Sequence, residues 1–407
     1  MNKIKIPVEE FKQCIENIKK LMKEQNLDAI FIYGDEHRKE NLRYVSNFWP
    51  IFERGGLLLG LHTDPIVVYA PEGQKVAEEM AVWPDIRLVP EFACVTVSDT
   101  IDFPHANYTS FKKLFDKLSA NDNIKRFGIV GIDAMSADLF DKIKASFPCE
   151  VVDANNILFK LRLTKTKNEI ACLREAARIA DCGVKAVLDS NIIGITEIEA
   201  AGIAEYAARK AGAEHVIFML FSSGDRTHTI VGRPSHKIIE DGDMIQCGLA
   251  IQHEGYVATC ELPFAVGNIS EETKRVIDVL FNAYEKGTAM IKPGNKMKDM
   301  VRAVRDYFRE VNLSEYDVYP PLHGIGCAEA ESPYPDENTE TMFEPGMVTN
   351  TDISLFGLPG GSNRVEAGFV VTKTGAEPCL HWLTSVAESG LESNISKEKV
   401  EVLRLSL

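Results

Sequence analysis

Apolar residues recur at helical spacing from Val8 to about Gln25, with Phe11, Ile15, Ile18 and Leu21-Met22 on one face and charges on the other. The run Ala29-Ile30-Phe31-Ile32-Tyr33 has no polar interruption and ends at Gly34-Asp35, the pattern of a strand covered on both faces. Gly56–Leu61, Ile66–Tyr69 and Phe127–Ile132 repeat that pattern, and Glu150-Val151-Val152-Asp153 closes the series. Helix-like and strand-like segments alternate between them. This rhythm predicts an α/β unit over residues 1–160.

After residue 160 the rhythm changes. Lys165-Thr166-Lys167-Asn168-Glu169 opens a long amphipathic helix, with Thr166 and Glu169 at capping-box spacing. A second helix starts after Thr196, a third runs from about Glu271 to Met290, and a fourth from about Lys296 to Val311. Strand-rich stretches punctuated by Gly and Pro follow each helix pair. The order of helix pair, strands, helix pair, strands hints at an internal duplication over residues 161–407.

Composition narrows the classes. Lys plus Arg total 45 against 60 Asp plus Glu, a formal net charge of −15. That balance excludes broad binding to nucleic-acid phosphates, which needs clustered cations. No stretch reaches the roughly 18 apolar residues of a spanning helix, and Glu9-Glu10 arrives before a signal-peptide apolar region forms. The nine cysteines are scattered without a C-x-x-C pair, which suits reduced thiols and a cytoplasmic location.

Three stretches concentrate polar groups with no packing role. Ser222 to Phe264 carries Asp225-Arg226-Thr227-His228, Gly232-Arg233-Pro234 and Gly255-Tyr256-Val257-Ala258-Thr259-Cys260-Glu261. His323-Gly324-Ile325-Gly326 is the second, and the third holds Pro345-Gly346-Met347, Asp352 and Arg364-Val365-Glu366. In their order and spacing these motifs resemble the creatinase, prolidase and aminopeptidase P superfamily. The resemblance implies an α/β N-terminal creatinase-like domain followed by an α+β pita-bread catalytic domain.

Metallopeptidases of that superfamily hold two metal ions on two Asp, one His and two further acids. Position by position, the His falls on His323 and the late acids on Asp352 and Glu366, but the two Asp positions fall on Gly248 and Thr259. The partner His seven residues after the first is Ala330. A two-metal site is therefore dismantled, and the pattern resembles the metal-free creatinase branch. Creatinase has a functional Glu at the position of Glu261, which strand alternation puts on the face of Thr259. Phe52-Glu53-Arg54-Gly55 resembles the segment that creatinase extends into its partner subunit's site. Creatinase's catalytic His falls on Val231, leaving His323 and the nearby His228 as candidates for proton transfer.

These observations lead to a hydrolase cleaving a C–N bond in a small polar nitrogen compound, with no cofactor, in a homodimer. In this reading His323 or His228 moves protons, Glu261 and Glu366 hold a cationic group, and Arg54 and Arg364 meet a carboxylate. Phe52 excludes water, while Arg226 and Asp352 join the substrate site. Structural alternatives stand beside them: Phe52 as core, Arg54 as solvated surface, Arg226 as a partner of surface acids, Asp352 on a solvated strand face, Glu366 paired with Arg364. Tyr256 is expected to pack with its hydroxyl on backbone. Two other functions stay open: an Xaa-Pro peptidase with one divalent ion (Mn, Zn, Fe or Co) on His323, Asp352 and Glu366, and a non-catalytic peptide-binding protein.

Overall fold

The first apolar stripe forms the helix Val8–Glu24, burying Phe11, Ile15, Ile18 and Met22, in a computed structural model that describes residues 4–93, 101–121 and 123–379. The chain divides into two units, one of Ile6–Arg162 and one that takes the residues before Ile6 together with those from Leu163 onward. In the first, strands β1 (Ala29–Asp35), β2 (Arg54–Gly60), β3 (Ile66–Tyr69), β4 (Ile86–Leu88), β5 (Arg126–Val130) and β6 (Glu150–Asp153) form one mixed sheet, ordered β4-β3-β2-β1-β5-β6. Alternate residues feed two cores. Phe31, Leu58, Val68, Phe127 and Ile129 enter one, while Ile30, Ile32, Leu57, Leu59, Val67 and Val130 enter the other. Both faces are covered, and that is why the strands read as unbroken apolar runs.

The second unit opens with the helix Lys167–Leu188, whose capping box is present: the Thr166 hydroxyl accepts from the Glu169 amide and Glu169 Oε2 accepts from the Thr166 amide. Glu169 also receives the hydroxyl of Tyr256 at 2.9 Å. This differs from the expected backbone partner, and burial pushes the Glu169 carboxyl up. The helix Glu197–Ala211 follows, then β7 (His215–Ser223), β8 (Met244–His253), β9 (Tyr256–Glu261) and β10 (Phe264–Ala265). The second helix pair is Glu271–Thr288 and Met297–Glu310, followed by β11 (Leu322–Gly324), β12 (Val348–Leu355), β13 (Asn363–Val371) and β14 (Ala376–Pro378). The sheet runs β10-β8-β9-β13-β12-β11, with β7 on β8 and β14 on β13.

The duplication hinted at by the element order has a local signature. Gly194 (φ 90°) and Gly294 (φ 87°) both take left-handed conformations in the turn between paired helices. Their amides donate to Ile239 O at 2.9 Å and Phe343 O at 3.0 Å. Thr196 bridges Ile238 as Lys296 bridges Met342. The helix Lys167–Leu188 packs on β8 and β9, and Glu271–Thr288 on β12 and β13. The opposite face of the sheet is left for polar side chains. Among the described residues no helix is long and apolar enough to cross a membrane.

Candidate functional site

Strand register builds the site. Gly248 on β8 faces Glu261 on β9, Glu261 faces Glu366 on β13, and Glu366 faces Asp352 on β12. Three carboxylates thus lie side by side in one row across the sheet, none more than 2% exposed. Like charges directly opposed are unfavourable, and burial raises the cost. Arg364, two residues before Glu366 on β13, supplies the counter-charge: its Nε lies 3.5 Å from Glu261 Oε2 and its Nη1 3.3 Å from Asp352 Oδ1. Its Nη2 donates to Ile230 O at 2.8 Å, and the guanidinium carbon lies 5.3 Å from the Tyr319 ring centroid and 5.4 Å from that of Phe356.

One guanidinium does not neutralise the row, so protons are retained. Burial pushes the Glu261 carboxyl up to about 7 against the pull of Arg364. Both of its oxygens lack a hydrogen-bond donor among the described residues. Burial also raises Asp352 and Glu366. Glu366 turns to Asn350, whose Nδ2 donates to Oε1 at 2.5 Å.

His323 on β11 faces Asn350 in register and stacks on Tyr334 with ring centroids 5.5 Å apart. Nδ1 lies 2.9 Å from Gly324 O; a carbonyl only accepts, so Nδ1 carries hydrogen. Nε2 therefore points to Glu366 Oε1 at 3.7 Å and Glu329 Oε1 at 3.9 Å. Burial alone would lower this imidazole, but Glu366 and Glu329 outweigh it and carry its pKa up to about 9.

Glu329 has no counterpart among the residues expected from sequence. It sits on a loop closed by reciprocal backbone hydrogen bonds between Gly324 and Glu331. The loop is anchored by a buried ion pair from Lys165 Nζ to Glu331 Oε1 at 2.9 Å. Thr259 Oγ1 reaches Glu329 Oε1 at 3.4 Å. A cavity of about 320 Å³ opens above these groups, lined by His323, Glu329, Asp352, Arg364 and Glu366 below and by Phe218, Leu220, Val231, Arg233 and Tyr319 around them.

The partners of the expected residues differ from those the sequence suggested. Glu261 faces Arg364 and is fully buried, so its cationic partner is internal. Arg364 is held by two acids and a carbonyl, and Glu366 is bound to Asn350 instead of forming the alternative pair with Arg364. His228 is exposed, with Nδ1 2.8 Å from Ser362 Oγ, and does not line the cavity. Arg226 pairs with the buried Glu197 at 3.0 Å, a partner that Ser223 and Ser235 also bond. In the first unit Phe52 is 58% exposed at φ 62°, which removes it from the core. Arg54 opens β2 and donates to Glu91 O at 3.4 Å.

A pair of metal ions does not fit these residues. A Cβ on Gly248 would lie 2.4 Å from Glu261 Oε2, so the Glu261 side chain fills the place of the missing ligand. Arg364 already brings positive charge against Glu261 and Asp352. One ion does fit, on His323, Glu329 and Glu366, whose ligand atoms all lie within 4.8 Å of one another. Glu329 replaces the expected Asp352 in that set, because Asp352 is turned to Arg364.

Residues 171–373 match the family model described as metallopeptidase family M24, and residues 15–164 that of the creatinase/prolidase N-terminal domain. The uncharacterized peptidase YqhT of Bacillus subtilis is 31% identical over 64% of this chain and 75% of its own length. The Xaa-Pro dipeptidase of Pyrococcus furiosus is 26% identical over 90% and 97%. The crystal structure of the prolidase from Pyrococcus horikoshii superposes with TM-score 0.77 at 22% identity, covering 90% of this chain and 97% of that one. The Xaa-Pro dipeptidase from Bacillus anthracis gives 0.76 at 25%, covering 91% and 98%.

Proposed function

This chain belongs to the creatinase, prolidase and aminopeptidase P superfamily as one of its hydrolases, and we propose that it cleaves a C–N bond in a small polar nitrogen compound without a metal ion. The observation that carries this reading is Arg364 lodged between Glu261 and Asp352, with Glu261 filling the space beside Gly248. A fixed guanidinium occupies the electrostatic role that a cation would take in such an acid row. In this reading water attacks the carbon of the scissile bond and gives its proton to Glu329. His323 delivers its Nε2 proton to the leaving nitrogen as the C–N bond breaks. Glu366 holds the imidazolium and, with Glu329, faces the substrate's cationic end. Glu261 and Asp352 position Arg364.

The test is metal content. Protein purified without chelator is expected to carry far less than one Mn, Zn, Fe or Co per chain by elemental mass spectrometry. Any hydrolysis is expected to survive exhaustive chelation. Near-stoichiometric metal that drives activity would overturn this reading.

That result would favour the second reading, an Xaa-Pro peptidase, which the names of the relatives and the His323-Glu329-Glu366 set support. An ion there would polarise a peptide carbonyl and activate water, while Arg364 would keep its place in the row.

The reading includes a homodimer in the cytoplasm. Cys149, Cys182, Cys247, Cys260 and Cys379 are thiols outside any disulfide, which suits a reducing compartment. The exposed Phe52 suits a residue given to a second subunit, with Arg54 beside it. Mixing His323→Ala and Arg54→Ala chains into a verified heterodimer is expected to restore part of the activity that each homodimer lacks. Restoration at no more than background level would remove Phe52 and Arg54 from the site.

A further inference from the structure

Glu329 owes its place to its loop. Its side chain is 25% exposed and lies 3.9 Å from His323 Nε2, and Thr259 Oγ1 donates to it at a long 3.4 Å. Neither contact is tight enough to fix a flexible carboxylate. Residues 325–330 form no helix or strand, and the interior of the loop is built from charge. A Cβ on Gly326 would meet Glu331 Oε1 at 2.3 Å, so the Glu331 carboxylate fills the space beneath the turn. There Lys165 Nζ reaches Oε1 at 2.9 Å, with side chains only 3% and 6% exposed. From β9 the Val257 amide donates to Gly326 O at 2.8 Å.

Lys165 is itself held on both sides. Its amide donates to Gly346 O at 2.8 Å, and Thr164 before it bridges Met347. Its charge also draws down the Glu169 carboxyl, which burial raises. Glu169 accepts from the Thr166 amide and the Tyr256 hydroxyl, and Tyr256 adjoins the Val257 amide that holds Gly326. The charged cluster thus returns to the base of the same loop. A buried ion pair adds little net stability, because desolvation offsets its attraction. Its contact is directional, however, and joins one nitrogen to one carboxylate. We infer that Lys165 is a positioning residue for Glu329, acting through Glu331 to hold the loop so that the Glu329 carboxylate stands beside His323. The inference rests on the reading in which Glu329 takes the proton of the attacking water. It extends the working parts to a side chain that does not line the cavity.

Hydrogen exchange of the full chain, read by mass spectrometry, tests the anchor without a substrate. In Lys165→Met and in Glu331→Gln, residues 325–332 are expected to exchange about tenfold or more faster than in wild type. The helix Glu271–Thr288 is expected to exchange as before. Lys165→Met/Glu331→Gln leaves no lone buried charge and is expected to fall between the single variants and wild type. It serves as the comparison if a single variant fails to fold. Kinetics on the C–N substrate that wild type turns over tests the positioning. Lys165→Met is expected to lower kcat about 10–100-fold with KM within about twofold, as for a reacting group displaced by about 1 Å. Lys165→Arg is expected to recover part of that loss. Added to Glu329→Gln, Lys165→Met is expected to cost no further kcat, because the group it positions is already gone. Full additivity in that pair, a loss confined to KM, or exchange at 325–332 equal to wild type in every variant would each overturn the inference. Faster exchange in the variants, with no turnover by wild type, would end the hydrolase reading and leave Lys165 as the anchor of Glu329. Turnover that needs Glu329 but not Lys165 would do the reverse.

Discussion

Arg364→Met is expected to destabilise the chain by about 3–5 kcal/mol at pH 8, measured by urea unfolding, because it removes one partner of a buried ion cluster and leaves the acids. Methionine keeps the apolar stem and removes the guanidinium that lies near Tyr319 and Phe356, so the loss reports charge more than packing. Its pH dependence identifies the charges involved. The Glu261 carboxyl is raised in the folded chain from an ordinary 4.5 to about 7. A raised carboxyl contributes stability that is fully present below about 4.5 and is lost as pH rises through about 7. The variant is therefore expected to fare best near pH 5 and worst near pH 8. Adding Glu261→Gln should recover part of the loss at pH 8, since the remaining amide needs no counter-charge. Stability equal to wild type at pH 8 would mean that Arg364 is not the compensating charge. Recovery by added Mn or Zn, without Glu261→Gln, would point to an ion in its place.

Local features of this fold were legible because local physics determines them. The Thr166–Glu169 capping box and the apolar stripe of Val8–Glu24 depend only on residues within a turn or two. The unbroken runs of β1, β2 and β5 follow from a sheet covered on both faces. Through the resemblance to the metallopeptidases, Gly248 and Thr259 mark the places of two missing anionic ligands. The site itself depends on register between distant strands, and periodicity does not encode that. Nothing near Glu261 shows that it lands opposite Glu366 with Arg364 against it. His228 resembles a site residue until Ser362, 134 positions later, takes its Nδ1. Arg226 has a similar fate on Glu197. Glu329 went unrecognised for the converse reason. Its loop has neither helical nor strand alternation and is folded back by Gly324 and by Lys165, which bonds Glu331 across 166 residues. Its position two residues from Glu331, just ahead of Ala330, was the one signal available.

His323→Gln is expected to lower kcat by about 10²–10⁴ on whichever small C–N substrate the wild-type chain turns over, with a much smaller effect on KM. Glutamine keeps a donor for Gly324 O but cannot carry a proton between Glu366, Glu329 and a leaving nitrogen. A stability measurement separates this role from a structural one. His323 is raised from 6.5 to about 9 in the folded chain, where the attraction of Glu366 and Glu329 overcomes burial. A raised imidazole contributes stability that is fully present below about 6.5 and is lost as pH rises through about 9. Wild type should therefore exceed His323→Gln most clearly below pH 6.5, by as much as about 3 kcal/mol, and the gap should close toward pH 9. The Glu261 carboxyl acts in the same direction, so both buried groups make alkaline pH the weaker side for the wild-type chain. A large loss of kcat together with a closing stability gap fits an imidazolium held by two carboxylates and used to move a proton. If the gap stays constant from pH 6 to 9, His323 is neutral in the folded chain, and the proton reaching the leaving nitrogen must come from another group in the cavity. If kcat is unchanged, His323 has no part in proton transfer, and the acid row with its arginine is structural.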